Sequence, residues 1–412
     1  MTDDVRLRRG RGALGFSFFA QGVAFALLVT RIPAIQDRYG ISDGLLPAFL
    51  AAVPILAGVA SVATEHLVKR VAPSVVLRWA QPLVLLSLLA VGTGSQMWHV
   101  AVALGAFGLS VGALDASMNM LGVSLQRAYG RSIMLGFHAA YSLGGILGAS
   151  AAWAGAHWHL SLFTGYLPAV VVLVPLVLLL SRRYVDGTGA GEVQEKGLGS
   201  GGFKLLLPLC LVMACAYIGD STVANWSAKY LQDVLGSSEQ TATVPYNVYM
   251  VTTLIGRAVG DLGVRRFGAA AVVRGGTLVA AAGFAVVAAA PGASVGMLGF
   301  TLIGIGLCVI VPQTFAAAGR RAFESHGPGS SDTAIARLNI FNYVGFLIGS
   351  PLVGGIGDAW SYRGAMLVPM ALVLVTLFHA RSFGSDGARY GVRHERRADD
   401  RAVDVGRGGN EV

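Results

Sequence analysis

Charge is scarce in this 412-residue chain: Asp, Glu, Lys and Arg make up 13% of it, about half the roughly 25% of a soluble domain. So few ions, beside 54% hydrophobic residues, exclude water as the main solvent. Cysteine is almost missing as well. Cys210, Cys215 and Cys308 lie inside apolar runs, which argues against a disulfide scaffold or a thiolate metal site and reads as small buried hydrophobes. No G-x-x-x-x-G-K-[ST] loop occurs, so ATP-driven chemistry on a P-loop has no basis. Convergent catalytic groups are lacking too. His157 and His159 flank Trp158 at a loop without carboxylates, and no enzyme site, metal centre or cofactor is expected.

What the chain has in abundance is apolar runs of membrane-spanning length, about 20 residues for a hydrocarbon core of roughly 30 Å. Twelve are expected, near Leu14 to Ile35, Leu45 to Val68, Val75 to Met97, His99 to Leu125, Met134 to Ala156 and Leu160 to Leu180, then Leu205 to Tyr230, Thr243 to Val264, Ala270 to Ala290, Val295 to Ala318, Ala334 to Ile356 and Gly364 to Phe383. Glycine and proline inside them do not argue against helix, because neighbouring helices can satisfy freed backbone groups in lipid. The charged start of the chain precedes a first run of helix length with no small-residue cleavage site, which predicts a retained helix and not a removable signal peptide.

The net charge of +9 forms no groove-tracking patch, so nucleic acid is not the expected partner. Basic residues alternate between loop sets. One set holds Arg6, Arg8, Arg9 and Arg11, then Lys69, Arg70 and Arg78, then Arg127 and Arg131, then Arg182, Arg183, Lys196 and Lys204, then Arg265, Arg266 and Arg274, then Arg320 and Arg321. The other has only Arg38, Lys229 and Arg363, with Arg31 close by. The positive-inside rule then places both termini in the cytoplasm of a multi-pass inner-membrane protein, and an even helix count agrees.

The chain also repeats itself. Glu65, Lys69 and Arg70 recur as Asp261, Arg265 and Arg266, 196 residues later, each time at the end of an apolar run. Gly144 and Gly148 in the fifth run match Gly345 and Gly349 in the eleventh, a small-xxx-small spacing that lets backbones approach. The expected organisation is a six-helix half over 1–182, a Gly-rich cytoplasmic linker over 183–203, a second half over 204–383, and a disordered cytoplasmic tail over 384–412 whose Arg and acidic residues balance. Two such halves enclose a cavity near the bilayer midplane, as in a secondary transporter.

An ionisable group at a helix centre costs about 2.5–3.5 kcal/mol on insertion scales and needs a reason. Asp115 in the fourth run is the clearest, with Asn119 one turn on and a counterpart near Val309 in the second half. Folding back the fourth and fifth runs levels Asn119 with His138, and Asp115 with Tyr141 and Ser142. Asp115, helped by His138, is therefore expected to bind a coupling proton; the alternative is a structural clamp between these helices. Asp220 in the seventh run is the second candidate, or else an outer gate contact to Lys229 or Arg31. Trp226 and Lys229 are expected opposite the first helix near Arg31. Gln21, Gln313, Asn339, Asn342 and Tyr343 supply neutral donors and acceptors suited to a polar or amphiphilic solute, although amides in membrane bundles also simply join helices. Glu65, Lys69, Arg70, Arg257, Asp261, Arg265 and Arg266 read as a breakable gate, in which Arg257 and Asp261 can pair at i,i+4.

Gly256-Arg257-Ala258-Val259-Gly260-Asp261 through Arg265-Arg266-Phe267-Gly268, with its degenerate copy at Glu65 to Ala72, resembles the loop signature of the major facilitator superfamily. Arg31-Ile32-Pro33, Asp115 with Asn119, Phe137-His138-Ala139 and Asn225-Trp226-Ser227 are similar to a bacterial branch distantly related to fucose:proton symporters. The resemblance spans nearly the whole chain. It implies an all-α membrane protein of twelve transmembrane helices in two pseudo-symmetric six-helix bundles, a gate at the Asp261 signature, a cavity bordered by the helix of Asp220, and a monomer. In that branch the position of Asn225 is usually an aspartate, so this chain lacks a charge there. The expected activity is alternating-access movement of a small organic solute, coupled to protons, with a lean to efflux that no residue carries. The eleventh run holds Pro351-Leu352-Val353-Gly354-Gly355, which reads as bending and close packing, not as an export signature. Uptake of a sugar-like solute and a non-transporting sensor stay open.

Overall fold

The computed structural model describes residues 3–42, 45–186, 200–237, 241, 244–327 and 330–384. Twelve spans cross it: α1 (Asp3–Val29), α2 (Leu46–Leu67), α3 (Pro73–Val91), α4 (Met97–Tyr129), α5 (Met134–His157), α6 (Leu162–Ser181), α7 (Ser200–Lys229), α8 (Val244–Phe267), α9 (Ala269–Ala289), α10 (Ala293–Leu307 then Ile310–His326), α11 (Ser330–Ala359) and α12 (Tyr362–Ala365 then Leu367–His379). No strand occurs among the described residues. The first six spans form one bundle and the last six the other. The face where α1 begins and α12 ends is called the terminal face below.

The first run is two helices, not one. Its helix starts eleven residues before Leu14, at Asp3, and carries Arg6, Arg8, Arg9 and Arg11 on its first turns. It stops at Val29, and Ile32–Tyr39 restarts as a short helix with proline in its first turn, where a missing N–H costs nothing. The tenth run is also broken, at Cys308 and Val309. Pro312 has no N–H to offer the carbonyl four residues back, and that carbonyl belongs to Cys308.

Glycine fixes how the helices meet. A Cβ on Gly144 would strike the Phe19 carbonyl of α1, and one on Gly345 the Ala214 carbonyl of α7. Backbone therefore lies against backbone along α1–α5 and α7–α11, two equivalent seams inside the two halves. The halves themselves meet along α2–α11 and α5–α8. Among the described residues α5 and α8, both 24 residues long, are less apolar in their most apolar stretch than the other full-length spans.

After α6 the chain stays fastened to the first half. Tyr184 Oη and Ser17 Oγ are 2.6 Å apart, and Asp186 accepts from Ser74 N at 3.0 Å and Ser74 Oγ at 2.5 Å, capping the start of α3. Burial pushes the Tyr184 phenol up to about 12, against the opposing Ser17 bond, so it stays a neutral group. The rest of the expected linker over 187–199 and the tail over 385–412 lie outside the described residues.

Candidate functional site

Polar residues between the halves are stacked in layers along the helix axes. A central layer holds Asp115, whose carboxylate accepts from Gln21 Nε2 on α1 and from Tyr343 Oη on α11, the latter at 2.5 Å. One donor comes from its own half and one from the other. The bond partners of Asp115 are thus Gln21 and Tyr343, and none is His138. The His138 ring instead lies 5.3 Å from the Phe18 ring and 6.3 Å from that of Phe315, an aromatic contact that also joins the halves.

Arg257 is the cation of this layer. Its Nη1 donates to Ser142 Oγ on α5 at 2.8 Å, and its Nε lies 3.4 Å from the Cys308 carbonyl freed by Pro312. The expected i,i+4 pair with Asp261 is not formed. Asp220, nearer the outer face, accepts from Tyr249, and the Tyr249 and Tyr246 rings stack at 6.3 Å. Tyr141 and Tyr217 lie within electrostatic reach of both Asp115 and Asp220. Two carboxylates, one guanidinium and five tyrosines therefore lie between the bundles.

The outer-end contacts expected around Arg31 take other partners. Arg31 donates to the Leu160 carbonyl at 3.2 Å. Lys229 pairs with Asp233 at 3.2 Å and lies over the Tyr362 ring. Asn225 bonds back to the Ser221 carbonyl at 2.9 Å.

One turn toward the terminal face come neutral groups. Asn119 Nδ2 donates to the Asp115 carbonyl at 2.9 Å, Asn342 Nδ2 to Asn339 Oδ1 at 3.2 Å, and Gln313 is buried on α10.

The innermost layer closes the terminal face. Glu65 on α2 accepts from Arg337 Nη2 on α11 at 2.9 Å and from its Nε at 3.1 and 3.2 Å. Asp261 on α8 accepts from Ser132 Oγ at 2.6 Å and Gly136 N at 3.1 Å, at the start of α5. Arg265 donates to the Ser132 carbonyl at 2.8 and 3.2 Å. Both carboxylates are buried, whereas Lys69, Arg70 and Arg266 are exposed, and Arg266 lies over its neighbour Phe267.

Sequence reasoning passed over Arg337, the cation that Glu65 uses. It sits inside the eleventh run, and the need of any such cation for a counter-ion was signal enough. The tyrosines gave no comparable signal, since Tyr is common at any helix face in a membrane.

Two six-helix bundles that meet along a polar, ion-paired seam define a membrane transporter of the two-half class. The chain belongs to the Major Facilitator Superfamily, whose family model matches residues 14–331. An uncharacterized MFS-type transporter of Yersinia pestis is 28% identical over 367 residues, covering 89% of this chain and 94% of that protein. Among solved structures, the transporter FucP in the outward conformation superposes with a TM-score of 0.76 at 16% identity, over 91% of this chain and 98% of that one. The human organic anion transporter MFSD10 does so with a TM-score of 0.76 at 15% identity, over 91% and 99%.

Proposed function

We propose that the protein is a secondary active transporter that moves a small polar organic solute across a bacterial inner membrane by alternating access, with proton binding at Asp115 as the coupling step. The observation that carries this is the pair of donors on Asp115, one from each half. Two donors aimed at two oxygens fit the ionised carboxylate, an acceptor only. A proton on it leaves Tyr343 Oη able to turn and accept, but takes away the charge that strengthens the link between halves. Protonation and rocking are then coupled through one bond.

The alternating loop charges support a cytoplasmic terminal face, and the ion-paired inner layer then corresponds to a state closed inward and open outward. In this reading residues 1–182 and 204–383 are the rocking units, 183–203 joins them, 384–412 is a cytoplasmic tail, and the unit is a monomer. Asp220 and the tyrosines take the solute; Glu65, Arg337, Asp261 and Arg265 hold the inner gate.

The test is purified protein in liposomes with an imposed pH gradient and a panel of labelled sugars, organic cations and organic anions. At least one solute moves against its gradient, and its direction relative to the protons distinguishes antiport export from symport uptake. Asp115→Asn abolishes that accumulation and spares solute exchange without a gradient. Full gradient-driven accumulation by the variant removes the proton role, and solute binding without movement makes the protein a sensor.

A further inference from the structure

The neutral layer one turn inward of Asp115 contains four buried polar atoms, three of which, Asn119 Oδ1, His138 Nε2 and Gln313 Nε2, have no hydrogen-bond partner among the described residues; the fourth, Asn339 Nδ2, has no partner at normal distance there and reaches only the Tyr343 side chain one turn out. Their residues are 4%, 8%, 3% and 0% exposed. Buried polar atoms are nearly always paired, with protein or with a bound molecule, because an unmade bond leaves the desolvation of the group uncompensated.

The four are two symmetry-related pairs. The spacing of 201 residues that takes Gly144 to Gly345 takes His138 to Asn339. The spacing of 194 residues that takes Gln126-Arg127-Ala128-Tyr129 to Arg320-Arg321-Ala322-Phe323 takes Asn119 to Gln313. Their depth follows from the bonds above them. Asp115 on α4 meets Tyr343 on α11; α4 runs toward the terminal face and α11 away from it, so Asn119, four residues on, and Asn339, four residues back, face each other about 6 Å further in. Asn339 Nδ2, which leans toward Tyr343, makes no direct bond to Asn119 Oδ1, and that acceptor is left without a partner among the described residues. Gln313 and His138 stand in the same relation to Val309 and Ser142, beneath Arg257, which bonds Ser142 and the Cys308 carbonyl. The rings of Phe18 and Phe315 flank His138.

We infer that Asn119, His138, Gln313 and Asn339 form a second binding layer, for uncharged hydroxyl groups, between the Asp115 level and the inner gate. The layer offers amide donors, an amide acceptor and an imidazole, and no carboxylate or guanidinium, so its chemistry selects O–H groups and not ions. Bound water and the hydroxyls of a passing solute share that chemistry. The site does not depend on Asp115 carrying a proton.

The test is radiolytic hydroxyl-radical footprinting of the full chain in nanodiscs, since radicals formed from bound water oxidise the side chain beside them. His138, although buried, is expected to be oxidised at a rate within threefold of exposed His66, and Gln313→Leu to lower it at least fivefold. Gln313→Asn, which keeps the donor, retains it. Persistence of the labelling in excess sorbitol, normalised to His66, assigns the layer to resident water; suppression by sorbitol but not by choline chloride assigns it to solute hydroxyls. Labelling of His138 below a tenth of His66 in the wild type, or no change in Gln313→Leu, overturns the layer. Loss of proton coupling in Asp115→Asn leaves each of these outcomes in place, so the two readings fail separately.

Discussion

Arg337 and Gly136 stand at equivalent places in the two halves, 201 residues apart, and each bonds a buried carboxylate of the opposite half at the terminal face. Arg337 does it with a guanidinium on Glu65, Gly136 with a backbone N–H on Asp261. The repeat has kept the contact and changed its chemistry.

The two locks should therefore break differently. Removing one partner of a buried ion pair costs about 3–5 kcal/mol because the other charge is stranded, so Arg337→Met is expected to shift the protein strongly toward an open terminal face. Asp261→Asn keeps an acceptor for Ser132 or Gly136 and exchanges charge-assisted bonds of about 1.5–3 kcal/mol for neutral ones of about 0.5–1.5 kcal/mol; its shift should be smaller. Spin-label distances between positions 70 and 266, both exposed, measure both, and equal shifts would refute the asymmetry.

Tyr343→Phe deletes one hydroxyl and, with it, the donor that Asp115 receives from the opposite half. Solute exchange should survive while gradient-driven accumulation falls about tenfold, which corresponds to about 1.4 kcal/mol, close to one charge-assisted bond. Unchanged accumulation would take Tyr343 out of the coupling.

Pro312→Ala restores an N–H opposite the Cys308 carbonyl. Helix can then run through the break in α10, and Arg257 loses that acceptor. A higher melting temperature in detergent together with slower transport is expected; a lower melting temperature would show that the break is held by something other than proline.

Gly144→Val and Gly345→Val both push a side chain into a carbonyl of the neighbouring helix. Overpacking of this kind costs about 1–3 kcal/mol or more, and the two variants should lose similar amounts of thermal stability. Gly355→Val, at a position with open space around it, should change little. Circular dichroism melts of the three distinguish a seam effect from a general cost of valine.

The fold was legible because a membrane reduces the problem to hydropathy, length and loop charge, and because the Glu65 and Asp261 signatures advertise duplication. Helix ends were less so. The first turns of α1 lie outside the apolar run that marked it, and the interruption at Thr30 is invisible to hydropathy. Within the site, Asp115 stood out as a charge without an obvious reason, but its partners could not be read. Gln21 and Tyr343 are 94 and 228 residues away, and no local periodicity connects helices at that separation. Helix levelling paired Asp115 with α5 because those two helices are neighbours in sequence, whereas the bonds run to α1 and α11.

In the proposed alternating-access cycle the two donors on Asp115 do not stay together. Gln21 rides in the same bundle and travels with the carboxylate; Tyr343 belongs to the other bundle and is carried off when the bundles part at that level. Each cycle thus toggles a single acid between double and single coordination, so the C–O stretching frequency of Asp115 is a built-in gauge of which way the molecule faces.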